Sequence, residues 1–268
     1  MNGKVPDVNL APASPPSRFN VLGTAVSALS LDQARDFVLA TRGQRQSGYI
    51  CLCTVHGVSE ARRDPALRGI FNRSRLTTPD GMPLVWLGRW HGHRAVTRVY
   101  GPDLMNAVCD AGRAPGLTHY FYGGVPGVAE QLREKMTARF PGLQVVGTYT
   151  PPFRPLTPAE LDALRADLAA RKPDIVWVGL STPKQEKFMA EHWSSLDCGL
   201  MIGVGAAFDF HSGRMRQAPR WMQRSGLEWF FRLCTEPRRL GRRYLIYNPL
   251  FLLRTFAQLT GMKKYPLE

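Results

Sequence analysis

Asp80 stands between Pro79 and Gly81 in the run TTPDG, a setting with two chemical uses. Proline and glycine around an aspartate make a good turn, with the carboxylate bonding nearby backbone amides. The same carboxylate suits a general base that takes the proton from an attacking hydroxyl group. Three further runs place reactive side chains where apolar stretches end: Thr54-Val55-His56, Tyr122-Gly123-Gly124, and GLSTPKQE from Gly179 to Glu186. The His56 imidazole can donate or accept a hydrogen bond, so it serves as a second base or as a group that positions substrate. Gly123 and Gly124 give backbone amides access to a phosphate or sugar, and they equally make an ordinary turn.

No D-x-D occurs, and the aspartates near glycine, Asp80, Asp103 and Asp209, are dispersed, so no ligand set for Mg²⁺ or Mn²⁺ emerges. Charge on a phosphate leaving group would then be met by Arg98, Lys184 and the C-terminal arginines, because guanidinium matches phosphate oxygens bidentately. Neither metal nor cofactor is expected. Gly203-Val204-Gly205 lacks the remainder of a dinucleotide fingerprint, and no Walker A run is present. Cys51 and Cys53 would share one face of a strand, with no second Cys/His pair to complete a metal site. With Cys109, Cys198 and Cys234 they form no disulfide framework, which suits a reducing cytoplasm.

The elements that must position these residues read as an α/β domain, Rossmann-like, with a largely parallel sheet and flanking helices. Tyr49 to Val55, His119 to Tyr122, Asp174 to Leu180 and Gly199 to Gly205 are apolar runs of buried-strand type. Ser30 with Gln33 predicts a capping box for a helix to about Arg42, and Thr157 with Glu160 predicts another ending near Arg171. Val128 to Phe140 is amphipathic, and a further helix opens at Thr182-Pro183. In such sheets ligands bind beyond the carboxyl ends of the strands, which is where the reactive runs fall.

Of 268 residues 44% are hydrophobic, enough for a full-sized core, and 35 Lys and Arg against 21 Asp and Glu give a formal charge of +14. An anionic partner follows: phosphate, nucleic acid or membrane surface. From Arg214 onward twelve basic side chains face three acids, Glu228, Glu236 and Glu268. Residues 214–268 thus read as a basic, aromatic, helical appendage to an α/β domain at 18–213. Residues 1–17, rich in Pro, Ala and Ser, read as a disordered tail. Tyr244 to Gly261 is apolar beside Arg238, Arg239, Arg242 and Arg243, which suits a helix lying in an anionic membrane surface or one packed on the α/β core with its arginines solvated, and Pro249 and its limited length argue against spanning. Arginine mixed with Trp221, Trp229, Phe230 and Phe231 also fits a nucleic-acid-binding protein. No recognised nucleic-acid motif accompanies it, so nucleic acid is not the expected partner. The same apolar residues suit a subunit interface, and self-association into a homo-oligomer stays open beside the membrane role.

Several runs together resemble the WecG/TagA/CpsF glycosyltransferase family over roughly Val21 to Tyr244. They are DPALRGIFNRSRLTTPDGMPLVW at Asp64 to Trp86, RVYGPDL at Arg98 to Leu104, FYGG at Phe121 to Gly124, and VGLSTPKQEKFM at Val178 to Met189. GVGAAFDFHSG at Gly203 to Gly213, QAP at Gln217 to Pro219, and GLEWFFRLCTEPRRLGRRY at Gly226 to Tyr244 complete them. The resemblance implies transfer of N-acetylmannosamine, its uronic acid or glucose from UDP to an undecaprenyl-diphosphate-linked sugar, with inversion and no essential metal, at the inner face of the cytoplasmic membrane. It implies Asp80 as base, Thr54 as an active-site threonine and Gln185 as the glutamine of P-K-Q-E, with His56 where the family often has asparagine. Arg98 and Asp209 match its donor-binding residues, and Gly101, Asp103, Gly123, Gly124, Lys184 and Gln185 are expected beside the donor. Its C-terminal arginines fall on Arg232, Arg239 and Arg242, expected at the acceptor diphosphate and the membrane.

Overall fold

The computed structural model describes residues 16–267, except the side chains of Arg239, Arg242 and Arg243. Most of the expected N-terminal tail lies outside that range. Ser17, assigned to the tail, belongs to the body instead, because its carbonyl accepts the Ala28 amide at 2.8 Å.

The chain opens with an antiparallel hairpin, β1 (Arg18–Val21) and β2 (Thr24–Ser27), followed by α1 (Leu31–Leu39) and β3 (Gly48–Cys53). Next come α2 (Val55–Ala61), α3 (Pro65–Arg73), β4 (Leu76–Pro79), α4 (Met82–Trp90) and α5 (Gly101–Ala111). β5 (Thr118–Gly123), α6 (Val128–Arg139), β6 (Gln144–Tyr149), α7 (Pro158–Arg171), β7 (Ile175–Gly179), α8 (Lys184–His192) and β8 (Leu200–Gly203) complete the α/β body. α9 (Ala207–His211), α10 (Arg220–Arg224), α11 (Glu228–Thr235) and α12 (Pro237–Leu259) follow.

Six strands form one all-parallel sheet in the order β4-β3-β8-β7-β5-β6. Helices cover both faces, so β3 is buried at every residue, and its alternate side chains feed two separate cores. Tyr49, Cys51 and Cys53 face one core; Ile50 and Leu52 face the other. Both expected capping boxes form. Ser30 Oγ accepts from the Gln33 amide at 3.2 Å while Gln33 Oε1 accepts from the Ser30 amide at 2.9 Å. Thr157 and Glu160 make the same reciprocal pair at 3.3 and 2.8 Å.

Three of the differences from the sequence reading bear on the site. β3 stops at Cys53 rather than Val55 because Thr54 turns to cap α2. β8 stops at Gly203, with Gly205 in the left-handed region at φ 51°. The basic segment is also not a separate appendage along its whole length. α12 lies against α2, and its Phe251 and Thr255 are buried; Gln258 accepts from the Leu22 amide at 2.8 Å and donates to the Asn20 carbonyl at 3.0 Å. Beyond the helix, the Tyr265 carbonyl accepts from Asn20 Nδ2 at 2.6 Å. Apolar stripes on helices are usually core, and one face of α12 obeys that rule.

The opposite face does not. Leu245, Leu252, Phe256 and Leu259 fall on one stripe at helical spacing, with Leu253 beside it, and all five are exposed. No described helix is long and apolar enough to cross a membrane.

Candidate active site

Because the sheet is parallel, the loops after β3, β4, β5, β7 and β8 open at the same edge. Asp80 is the first residue beyond β4, and its amide donates to the Cys53 carbonyl at 2.8 Å, which ties this loop to the end of β3. Gly81 then takes φ 136°, a conformation that side chains resist, and α4 starts at once with Pro83 in its first turn. The aspartate thus sits on a sharp strand-to-helix turn, as the TTPDG run predicts.

Its carboxylate is nearly enclosed. Arg98 donates to Asp80 Oδ1 from Nε at 3.3 Å and from Nη2 at 3.1 Å, and the same Nη2 meets Glu228 Oε2 at 2.6 Å. The guanidinium also lies 4.0 Å from the centre of the Tyr100 ring. Burial pushes the Asp80 carboxyl up to about 6; Arg98 opposes that rise and Glu228 adds to it. Burial would lower the Arg98 guanidinium, but the two carboxylates outweigh it and hold the group raised and charged. Burial, reinforced by Glu228 and Asp80, likewise raises the Tyr100 phenol, whose buried hydroxyl has no hydrogen-bond partner among the described residues. A carboxylate with a proton affinity this near neutrality is a stronger base than an ordinary aspartate and is still ionised at pH 7.

Thr54 caps α2, its Oγ1 accepting from the Gly57 amide at 3.2 Å, a contact typically worth ~1 kcal/mol. Its own hydroxyl hydrogen stays available to a ligand. His56 is the second residue of α2, with Nδ1 4.0 Å from Glu60 Oε1 and its ring tilted against Tyr247 of α12 at 5.7 Å, so it packs toward the C-terminal helix.

Gln185 is buried at the start of α8. Its Nε2 donates to Glu186 Oε1 at 3.0 Å, and Glu186 Oε1 also accepts from the Thr182 hydroxyl at 3.0 Å, while Gln185 Oε1 has no hydrogen-bond partner among the described residues. A Cβ on Gly203 would stand 3.0 Å from Gln185 Nε2, so the amide lies directly against the end of β8. Gly101 works the same way at the start of α5, where a Cβ would stand 3.0 Å from the Val204 carbonyl. Burial, with help from Glu186, holds the Cys51 and Cys53 thiols well above their ordinary range, which makes them packing groups rather than nucleophiles.

The other expected residues are placed less centrally. Gly123 and Gly124 are required by the backbone, since a Cβ on Gly123 would stand 2.6 Å from the Gly179 carbonyl oxygen, and the Gly124 amide is already bonded to that oxygen at 3.0 Å. Asp103 is held by Arg220 at 2.9 Å beside a shallow groove that Asp110 and Arg224 also line. Asp209 lies 4.0 Å from Arg214, and Lys184 covers the Phe153 ring at 4.6 Å. Arg232 covers Phe210 at 5.8 Å and lies 3.8 Å from Glu236. Arg239 and Arg242 belong to α12 by their backbone, and their side chains lie outside the described residues.

Two residues at Asp80's side were not singled out by the sequence reading, Tyr100 and Glu228. Both stand inside the quoted runs RVYGPDL and GLEWFF, yet nothing in the spacing joins them to Asp80. With this geometry in view, residues 19–265 match the family model described as the Glycosyl transferase WecG/TagA/CpsF family.

Proposed function

The chain belongs to the WecG/TagA/CpsF glycosyltransferase family of cell-surface polysaccharide synthesis, and from that premise we propose a single, inverting displacement from a UDP-sugar to a polyprenyl-diphosphate-linked sugar. Asp80 takes the proton of the acceptor hydroxyl. The oxygen attacks the anomeric carbon from the face opposite the diphosphate, and the bond to UDP breaks with its electron pair leaving on the diphosphate oxygen. Arg98 is the fixed cation nearest that developing charge, with Arg232 behind it. Thr54 and Gln185 orient substrate, the first with a free O–H and the second with a free carbonyl acceptor. The observation that carries this reading is the enclosed Asp80 carboxylate at the strand edge, raised to about 6 and bonded, among the described residues, to a single arginine.

The direct test is a screen of UDP-sugars with a short-chain prenyl-diphosphate sugar, reading UDP release. Acceptor-dependent release from one donor is expected. Absence of release with every donor, in a protein that binds nucleic acid in a salt-sensitive manner, replaces the reading with the nucleic-acid one.

Asp80 must be ionised to act. The acid limb of kcat/KM is therefore expected near pH 6, with activity lost as pH falls below it. A limb near pH 4 would mean that an ordinary exposed carboxylate is the base.

Metal independence is proposed on the same footing. The three scattered aspartates are each taken by an arginine: Asp80 by Arg98, Asp103 by Arg220 and Asp209 by Arg214. Activity is expected to survive EDTA, and loss restored by Mn²⁺ or Mg²⁺ would show that the diphosphate is neutralised differently.

The enzyme is placed at the inner face of the cytoplasmic membrane, held there by the exposed stripe of α12 and the basic residues around it. Trp221 in α10 and Phe230 in α11 are exposed as well and are available to the same surface.

A further inference from the structure

Glu228 is an acid near the start of a basic segment, 148 residues from Asp80 in sequence, and it meets Arg98, the arginine that Asp80 meets. The contact uses up one edge of the guanidinium. Nε and Nη2 donate to Asp80, Nη2 is also ion-paired with Glu228 outside hydrogen-bond geometry, and Nη1 has no protein partner among the described residues. Both carboxylates are largely buried, with side-chain exposures of 14% for Asp80 and 12% for Glu228, so their mutual repulsion is weakly screened. An arginine bonded at one edge has a fixed plane, which leaves Nη1 as the edge free for an anionic oxygen.

We propose that Glu228 is a positioning residue of the transfer reaction: from α11 it holds the Arg98 guanidinium in place and, through it, sets the orientation and basicity of Asp80. The idea rests on Asp80 being the base, and it makes the C-terminal segment a structural part of the catalytic centre as well as a surface. Glu228 itself touches no reacting atom. The groups facing the pair are Arg98 and Tyr100 ahead of α5, Arg232 of α11, and Cys53 at the end of β3. Of these Arg98 and Arg232 are cationic, so removing the Glu228 charge leaves Asp80 beside positive neighbours alone and makes it less basic.

The test uses the full chain with Glu228→Gln, nearly the same shape without the charge, and Glu228→Asp, which keeps the charge. In Glu228→Gln the acid limb of kcat/KM is expected to move to lower pH by roughly one unit, as removal of a neighbouring like charge implies. The limb of kcat/KM reports the free enzyme, the state in which the contact is seen. A ¹³C titration of the Asp80 carboxyl in the ligand-free protein should move the same way, and Glu228→Asp should return both toward wild type. Arg98 released at one edge also lowers kcat, by about 10-fold to 10²-fold for a displacement near 1 Å. Superimposable pH profiles with kcat within about threefold of wild type overturn the proposal against that expectation. So does a carboxyl titration that moves while the limb stays, since the coupling then has no bearing on the reaction. Failure of the base assignment is separate: Asp80→Asn alone reveals it, and the carboxyl titration needs no turnover at all.

Discussion

Asp80→Asn is expected to lower sugar transfer by about 10²-fold to 10⁴-fold, the usual contribution of a general base. That range corresponds to about 3 to 5 kcal/mol of barrier. The amide keeps the size of the carboxylate and still accepts from Arg98, and Glu228 continues to hold the guanidinium at the same Nη2. UDP binding, read by calorimetry, and the thermal melting curve should therefore stay close to wild type. The substitution takes away the capacity to accept a proton and little else. A variant that keeps more than about a third of wild-type turnover would remove Asp80 from proton transfer on that scale.

The second large effect concerns the outer face of α12. Leu252, Leu253 and Phe256 are 64%, 67% and 61% exposed, so exchanging them costs the fold little. Burying each in the headgroup boundary would contribute about 1.5–3 kcal/mol at most, so Leu252→Glu, Leu253→Glu and Phe256→Glu together should weaken binding to anionic vesicles by well over 10²-fold. Flotation should be lost, together with transfer to a long-chain lipid acceptor. Transfer to a short-chain acceptor should persist. Flotation equal to wild type would sink the membrane assignment and leave the exposed stripe to a second copy of the chain, a result that sedimentation would reveal. Point substitutions serve here better than truncation at Arg214, because truncation also removes Phe251, Thr255 and Tyr265 from the core.

The fold was legible where burial on both faces leaves a continuous apolar run. GYICLC, IVWVG and LMIG announce strands because every position on them but Gly179 is buried from water. β6 did not announce itself, since QVVGTY is an edge strand that is partly exposed and interrupted by a glycine. β4 was hidden differently. Its Thr77 and Thr78 look like surface residues but are buried, and Thr77 is satisfied by the Phe71 carbonyl at 2.6 Å and by its amide bond to Ser27 Oγ at 3.1 Å. At the site, Asp80 and Arg98 were visible one by one because turn chemistry and charge are local signals. Their pairing depends on how β4 and the loop before α5 meet, and Glu228 depends on where α11 docks, and neither relation has a period or spacing in the sequence. Which face of α12 is core was not legible for a similar cause, since a helix with two apolar stripes has a continuous apolar run that conceals which stripe is core.

The hairpin of β1 and β2 offers its bonding groups to the far end of the chain, with Asn20 bound to Tyr265 across 245 residues. During synthesis those groups emerge well before their partners. Until Gln258 and Tyr265 are made, Asn20 and the Leu22 amide are bonded to water, while the parallel sheet can already assemble without them. Closure of the molecule therefore waits until this C-terminal segment has left the ribosome, and the helix that carries the exposed stripe becomes fixed only in that step. A nascent enzyme still on the ribosome has its sheet before it has its clasp.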